Sequence, residues 1–286
     1  MEEIAKQVYV ETVYDGVNVG AMITPTGVIC IDVPSYARDA RDWAARMHRL
    51  SPYPVLNIIL TDSSGDRILN TRWLNAPIIM QQGSADLLGT YEKRYPQHLM
   101  ESLAQRNPHR GRELSGGAVE HPAMSFSGEM VMFKHGQQIV FHSAIGPNPG
   151  TAWIILPERG VLFAGDTLVV DTHPLFAAGT STAWINTLEA LRPYARTHTI
   201  VPGRGPIMVA DSGAAIRAID ASITYIKALR ERVSQHIQVG LPKESLSTYA
   251  LEFLAKFPLG SLPKEWVLQQ IENSLGYLYD EVQYDA

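Results

Sequence analysis

The chain has 286 residues, 45% of them hydrophobic and 19% charged, as in a globular protein with enough apolar material for a core. Its net charge of −5 and scattered basic residues predict no nucleic-acid partner. No apolar stretch reaches about 18 residues and the start of the chain lacks an apolar signal core, so we expect no membrane partner and a cytoplasmic location. Cys30 is the only cysteine, which excludes an internal disulfide and a multi-cysteine zinc site.

The first part of the chain is typical of strands followed by a helix and further strands. Alternating apolar residues predict strands over 8–10, 17–23 and 28–31, with a hairpin turn at Thr26-Gly27. Apolar spacing and the following Ser51-Pro52 predict a helix over 37–50. Strands follow at 55–60 and 76–80, separated by a polar turn and a short helix.

The pattern is weaker in the middle of the chain and regular again after it. Residues 87–105 suggest a helix broken near Tyr95-Pro96, and 106–117 a polar loop. The whole stretch 81–117 either borders a pocket or is a solvated insertion. Strands are predicted at 130–133, 138–141, 152–156, 161–163 and 198–201, and a helix at 184–191. Three- and four-residue apolar spacing predicts helices over 212–238 and 243–281.

A polar turn stands where the apolar strand 55–60 ends. The stretch "NIILTDSSGDRILN" (57–70) places two aspartates, two serines and Arg67 in this turn, but no histidine. Ligands and catalytic groups collect at the carboxyl end of strands in α/β proteins. The turn is therefore the first candidate for a functional site.

Four stretches in fixed order resemble the metallo-β-lactamase-fold hydrolases. "GVNVGAMITPTGVICID" (16–32) is similar to the opening hairpin, and "ILTDSSGDRILN" (59–70) lies where that family has T-H-x-H-x-D-H. "IGPNPGTAWIILPERGVLFAGD" (145–166) is similar to P-G-H-T-x-G-S with its following strands and Gly-Asp, and "IVPGRGPI" (200–207) lies where the family has V-P-G-H-G. The resemblance implies an α+β fold, an αββα four-layer sandwich, over 1–211, with C-terminal helices at 212–286 packed on the same domain.

All five histidine ligands of the family are replaced in this sequence. Asp62 and Ser64 stand at the first two histidine positions, Arg67 at the third, Pro147 at the histidine of the central turn and Arg204 at the last. The resemblance thus identifies a divergent member in which the metal-binding turn has lost its nitrogen ligands.

Both aspartates of the family pattern remain, as Asp66 and Asp166. Removing the metals leaves these carboxylates buried and unpaired, so we expect Arg67 and Arg204 to pair with them. The alternative is that one or both arginines point to solvent and that the carboxylates accept hydrogen bonds from backbone amides at the turns. We expect no metal or other cofactor; the alternative is a divalent Zn, Mn or Mg ion held by Asp62, Asp66 and Asp166.

Without metals, the family's site would leave a polar hollow at the sandwich edge. The resemblance predicts that Asp62, Ser64, Arg67, Asn148 and Arg204 line it, and that it takes a small-molecule ligand, with an anion favoured by the arginines. Two histidines are further pocket-lining candidates. His142 ends a strand near the central turn, and His173 follows the bridging aspartate in "VVDTHPLF".

Two functions remain open from the sequence. The first is a protein that has lost the dinuclear metal site and its hydrolysis and retains a binding pocket. The alternative is an active metal-dependent hydrolase with an atypical oxygen-rich site. The helical tail is expected to pack on the core, and a homodimer through it stays open. Fold alone does not select a substrate.

Overall fold

The computed structural model describes residues 1–91, 93–114 and 117–285, in which two β-sheets lie face to face. The larger sheet has seven strands in the order β1 to β7, antiparallel from β1 to β4 and parallel from β4 to β7. Its strands are β1 Glu2–Ala5, β2 Val8–Glu11, β3 Val19–Thr24, β4 Gly27–Ile31, β5 Val55–Leu60, β6 Ile78–Gln81 and β7 Met124–Phe126.

The smaller sheet has five strands in the order β12-β11-β10-β9-β8. Only the β11–β12 pair is parallel. The strands are β8 Glu129–Lys134, β9 Gln137–Ser143, β10 Ala152–Leu156, β11 Val161–Val169 and β12 Thr199–Arg204. Every residue of β10 and β11 is buried, as expected for strands covered on both faces.

Helices cover the outer face of each sheet. The first sheet carries α1 Ala37–Leu50, α2 Gly65–Ile68, α3 Gln82–Gly89 and α4 Gln97–Arg106, and the second carries α5 Ser181–Leu191, α6 Tyr194–Thr197, α7 Ala214–Gln238, α8 Ala250–Leu254 and α9 Lys264–Asp285. Short 3-10 turns lie at Thr71–Trp73, Gly111–Leu114, Pro157–Arg159 and Lys243–Tyr249. The result is the predicted αββα sandwich with a C-terminal helical extension, α7–α9.

Three apolar clusters fill the spaces between the four layers. Ile31, Ile59, Phe141 and Phe163 belong to the cluster between the two sheets. A second cluster joins the first sheet to α1, where Trp43 and its helical neighbours at three- and four-residue spacing are buried. The third joins the second sheet to α5 and α7–α9. The C-terminal extension therefore shares a core with the sandwich.

Most predicted elements are present, with boundaries shifted by a few residues. Helix α1 and strands β5 and β10 have the predicted bounds. Strands β1 and β7 were not predicted, since both are short and β1 is polar and exposed. The predicted helix 87–105, broken near Tyr95-Pro96, corresponds to two helices, α3 and α4, on either side of Pro96, and the predicted break is confirmed.

The predicted loop 106–117 is partly wrong. Arg106 ends α4, and Gly111–Leu114 forms a 3-10 turn. Residue 92 of the predicted helix and residues 115–116 of the predicted loop lie outside the described residues. No helix in the described part of the chain combines the length and apolar character needed to cross a membrane.

Candidate functional site

Charged side chains from four strands and the turns that follow them meet at one edge of the sandwich. Asp32 directly follows β4, the turn from Thr61 to Arg67 follows β5, Asp166 lies in β11, and Arg204 ends β12. With Arg106 from the end of α4, they form what we call the ion cluster, which consists of Asp32, Asp62, Asp66, Asp166, Arg67, Arg106 and Arg204. The stretches identified in the sequence therefore converge in space.

Arg67 is at the centre of the ion cluster and is completely buried. Its guanidinium donates to both oxygens of Asp166, with Nη2 2.5 Å from Oδ1 and Nη1 3.1 Å from Oδ2. Its Nε donates to Asp32 Oδ2 at 3.1 Å, and Nη1 also donates to Ser64 Oγ at 3.0 Å. Asp62 Oδ2 lies 3.5 Å from Nη1. Every nitrogen of this side chain is thus engaged.

Arg204 joins the two aspartates that the family pattern retains. Its Nη2 lies 2.9 Å from Asp66 Oδ2 and 2.9 Å from Asp166 Oδ2. One nitrogen bridging both carboxylates places Asp66 and Asp166 in the same site, as the sequence predicts. The ion pairs predicted between these aspartates and Arg67 or Arg204 are present, and the alternative of solvent-facing arginines is wrong for Arg67. The Arg204 side chain keeps 23% of its surface exposed.

Arg106 is a member of the ion cluster that sequence reasoning missed. We predicted a polar loop at this position, but the side chain is buried and its Nη1 donates to Asp66 Oδ1. Leu99 and Leu103 lie on the same helix, α4, and Leu103 precedes Arg106 by three residues. This helical spacing was the signal that could have placed Arg106 on the inward face.

Asp32 was also missed as a site residue. Its backbone is left-handed, with φ 57°, a conformation that Asp tolerates better than most residues. Its carboxylate accepts hydrogen bonds from Thr61 N at 2.8 Å and Thr61 Oγ1 at 2.7 Å, besides that of Arg67. Asp32 therefore holds the Nε edge of the Arg67 guanidinium, while Asp166 holds its two terminal nitrogens. Its position at the end of a parallel strand next to β5 was the available signal.

A glycine in β12 allows the close approach of the central ion pair. A Cβ atom at Gly203 would overlap the Asp166 carboxylate and lie 2.6 Å from Arg67 Nη2. No other residue type fits at this position without displacing the pair. The local sequence Pro202-Gly203-Arg204 thus serves both to leave space for the cluster and to supply one of its cations.

The carboxyl groups of the ion cluster differ in proton affinity. Burial alone raises the pKa of Asp166, but Arg204 and Arg67 outweigh it and hold this pKa below its usual range. Burial raises the pKa of Asp32 to about 6, against the opposing effect of Arg67. Burial also raises the pKa of Asp62, whose Oδ2 accepts no hydrogen bond from the described residues. Asp166 is thus firmly ionised, whereas Asp32 titrates at a mildly acidic pH.

These side chains do not fit the dinuclear metal centre that the resemblance implies. Among the described residues, no three His, Cys, Asp or Glu side chains come together in an arrangement that could hold a metal ion. The guanidinium groups occupy the space between the carboxylates where a cation would bind. A dication about 4 Å from one guanidinium, at an effective dielectric near 20, would be destabilised by roughly 8 kcal/mol. The arginines supply the positive charge instead.

Two chambers open beside the ion cluster. The inner chamber, about 170 Å³, lies between the sandwich edge and helices α4 and α9, and Asp66, Asp166 and Arg204 line it. The outer chamber, about 890 Å³, continues toward the surface between α4 and the C-terminal extension. Both are lined by Ser64, Tyr95 and Asn148, so we treat them as one cleft.

The structure corrects three of the predicted lining residues. Asp62 and Arg67 line neither chamber, because both are fully buried beneath the wall and face each other and the other cluster members. His142 does not line the cleft either. It alternates with buried Phe141 on β9, so its ring faces the outer side of the sheet, where it stacks on Trp153 and lies 3.5 Å from Glu129.

The remaining predicted residues lie at the cleft. Pro147 and His173 line the inner chamber, and Asn148 and Ser64 line both chambers. His173 Nε2 lies 3.2 Å from the carbonyl oxygen of Leu254, and burial lowers the pKa of this imidazole. His173 is thereby tied to the C-terminal extension and neutral near pH 7.

No protein-family model matches the sequence, and no curated protein is significantly similar to it. Solved structures do match. A metallo-β-lactamase family protein from Thermus thermophilus superposes with a TM-score of 0.67 at 16% identity, over 98% of this chain and 95% of that one. The DIM-1 metallo-β-lactamase superposes with a TM-score of 0.60 at 16% identity, over 79% and 96%.

The stereoselective inverting sec-alkylsulfatase Pisa1 from Pseudomonas sp. gives a TM-score of 0.69 at 14% identity. The match covers 98% of this chain but 49% of the sulfatase, so this chain spans about half the length of that relative. At such identities the similarity concerns the fold and not the activity. Together with the two-sheet sandwich and its converging strand ends, these matches show that the chain has the metallo-β-lactamase fold.

Proposed function

We propose that this protein is a metal-independent member of its fold, which has lost the dinuclear site and its hydrolysis and binds a small molecule in the cleft. The observation that carries the proposal is the position of Arg67. Its guanidinium lies between Asp166, Asp32 and Asp62, with Nη2 2.5 Å from Asp166 Oδ1. A guanidinium in this place supplies the positive charge that a metal supplies in the family pattern.

The burial of the ion cluster supports the same conclusion. Asp66 and Asp166 are nearly inaccessible and bind arginine nitrogens with both oxygens. Buried charges are tolerated when each has partners, and the cost of breaking such a network is several kcal/mol. A metal would have to displace at least two arginines from their carboxylates. The cluster therefore serves as a rigid wall of the cleft.

The cleft itself supports a binding role. A concave space with apolar walls and a few polar groups at one end is the usual form of a small-molecule site. The inner chamber has such walls, and its polar end is formed by the ion cluster and Asn148. A small-molecule ligand is therefore the partner we propose.

Metal content tests the proposal most directly. Purified protein, incubated with Zn²⁺, Mn²⁺ or Mg²⁺ and then dialysed, should contain well under one ion per chain by plasma mass spectrometry. Its melting temperature should not change with chelator or added metal. The double variant Arg67→His/Arg204→His serves as a control, since it restores two imidazoles at family positions.

The competing function is a metal-dependent hydrolase with an oxygen-rich site. Near-stoichiometric metal that survives dialysis would favour this alternative. So would metal-stimulated turnover of a lactam, lactone, thioester or phosphodiester that Asp166→Ala abolishes. Either result would contradict the proposal.

A further inference from the structure

The inner chamber has few free hydrogen-bond donors. All nitrogens of Arg67 are engaged within the ion cluster. Arg204 donates through Nε and Nη2, and its Nη1 makes no hydrogen bond to any described residue. Of the chamber's guanidinium donors, Nη1 of Arg204 is thus the one available to a ligand. From the sequence we expected an anionic ligand because two arginines lie at the site. Most of the donors of these arginines, however, already bind aspartates of the ion cluster.

Asn148 adds a free amide at the same end of the chamber. Its residue surface is 8% exposed, and neither polar atom of its side chain bonds a described residue. Asn148 is not among the enclosed polar side chains that lack a partner in the described part of the chain, so its amide is open to the cleft and available to a ligand. An amide offers donors on nitrogen and an acceptor on oxygen. Only a ligand group with both a donor and an acceptor satisfies it fully.

The charge balance disfavours a negative ligand. Asp66 and Asp166 line the inner chamber against one guanidinium, that of Arg204. In the whole ion cluster, carboxyl groups outnumber guanidinium groups by one. Asp66 Oδ2 accepts one bond, from Arg204, and so keeps a free lone pair for a ligand N–H. The inner end therefore presents both donors and acceptors, without an excess of positive charge.

The charge of the outer chamber also disfavours an anionic ligand. Among the described residues, Lys243 and His98 are the basic residues that line this chamber. Lys243 is paired with Asp280, with Nζ 2.6 Å from Oδ2. Glu244 and Glu272 line the chamber as well, so acidic groups are in excess. An anion entering the cleft would pass these carboxylates. The uncharged parts of a ligand would meet tyrosines and leucines instead.

The walls of the inner chamber are largely apolar. Side chains of Leu99, Leu103, Val169, Phe176, Leu262 and Trp266 surround the polar end. Its volume of about 170 Å³ equals about five or six water molecules at their liquid volume. It therefore accommodates a small polar group and a few carbons, and a longer molecule must extend into the outer chamber.

We propose that the cleft binds an elongated apolar molecule ending in an uncharged carboxamide, with the amide at Asn148, Arg204 and Asp66. The ligand carbonyl accepts from Arg204 Nη1 or the Asn148 amide nitrogen, and the ligand N–H donates to Asp66 or the Asn148 oxygen. The apolar body lies along Leu99, Phe176 and Trp266. This inference rests on the proposed small-molecule function and specifies its ligand class.

A series of eight-carbon compounds that differ only at the head group tests the proposal. Octanamide, octanoate and octylamine share the same body, so differences in affinity report the head alone. Titration calorimetry on the full chain at pH 7 should give the tightest binding for octanamide. We expect octanoate to bind at least about tenfold more weakly, since unpaired polar groups discriminate strongly between ligands.

Two asparagine variants localise the recognition. Asn148→Leu removes one proposed partner without touching the ion cluster, and should lower the affinity ratio of octanamide to octanoate severalfold, while the aspartates keep this ratio above one. Asn273→Leu is the matched control, because Asn273 lines only the outer chamber. It should leave the ratio unchanged. Circular dichroism and melting temperature confirm that both variants are folded.

Several outcomes would overturn the carboxamide assignment. Tightest binding of octanoate or octylamine would replace it with an anionic or cationic class. An unchanged ratio in Asn148→Leu would place the head group elsewhere, and absence of binding by all three compounds at millimolar concentration would remove the inference. None of these results alters the metal content, so failure here is distinguishable from failure of the proposed metal-independent function.

Discussion

The ion cluster and the mouth of the cleft contain ion pairs of similar length in different surroundings. Arg204 Nη2 lies 2.9 Å from Asp66, and Lys243 Nζ lies 2.6 Å from Asp280. The aspartates of the cluster are nearly inaccessible, whereas the side chains of Lys243 and Asp280 are 41% and 63% exposed. The distance between the charged atoms therefore does not predict how much each ion pair contributes to stability. The access of water, which can replace a lost partner, predicts it better.

Removing one member of a buried ion pair is costly because the other member is left unpaired in the protein interior. A carboxylate left alone in the interior has no water to solvate it, and the whole desolvation cost then appears in the free energy of unfolding. At the mouth, water replaces the partner at once. The difference predicts a series of effects that decreases from the centre of the cluster outward.

The largest effect is expected for Arg67→Met. The methionine fills much of the space but leaves Asp32 and Asp166 without their central cation. We expect the free energy of unfolding to fall by about 3–5 kcal/mol. Urea denaturation followed by circular dichroism measures it. A loss under about 1 kcal/mol would mean that the other members hold the cluster together. The expected difference in stability between buried and exposed ion pairs would then be absent.

A smaller effect is expected for Arg204→Met. This side chain is partly exposed, and Arg67 and Arg106 still hold Asp166 and Asp66 after its removal. We expect a loss of about 2–4 kcal/mol in the free energy of unfolding by the same urea titration. A larger loss than in Arg67→Met would reverse the expected order of the two effects and contradict the link between burial and stability.

The fold and the general location of the site could be predicted from the sequence. Apolar strands followed by polar turns gave most elements, and the four stretches in order placed Asp66, Asp166 and Arg204 at one edge. The elements depend on short-range patterns, which a sequence displays directly, whereas the fold and the common edge follow from the resemblance of the four stretches to a known family. Strands β1 and β7 were missed because short edge strands carry little periodic signal.

The finer geometry of the site depends on long-range contacts that the sequence does not display. Arg106 joins Asp66 across 40 residues, and Asp32 joins Arg67 across 35. Nor does residue type show which arginine is enclosed: Arg67 and Arg204 both matched family histidines, yet of these two only Arg204 reaches the cleft. The available donors, on which the proposed ligand class depends, follow from this packing.

A pH-dependent effect is expected from Asp32. Its pKa in the folded state, about 6, is above the value of about 3.9 for an unfolded aspartate. A raised carboxyl pKa means that the folded protein binds the proton more tightly, so this stabilisation is complete below about pH 4. It is lost as the pH rises through about 6.

The variant Asp32→Asn isolates this contribution, since asparagine resembles the protonated acid and does not titrate. It should be destabilised at all pH values, because its amide has one acceptor oxygen, whereas the carboxylate accepts from Thr61 N on one oxygen and from Thr61 Oγ1 and Arg67 Nε on the other. Its deficit relative to the natural protein should be about 2–3 kcal/mol smaller at pH 7 than at pH 4. Urea titrations of both proteins at the two pH values measure the deficit. An equal deficit at both values would show that Asp32 is not protonated in this range.

The smallest effect is expected for Lys243→Met at the mouth of the cleft. Water solvates Asp280 when the ammonium is removed, and the methionine retains most of the apolar stem. The free energy of unfolding should therefore change by less than about 1 kcal/mol. Raising the salt concentration to about 1 M should reduce even this difference, because the pair is exposed to screening ions. Parallel urea titrations of Lys243→Met and Arg67→Met at both salt concentrations make the comparison direct. A loss at Lys243 as large as that at Arg67 would show that the mouth is as tightly coupled to folding as the ion cluster, and would refute the ranking by burial.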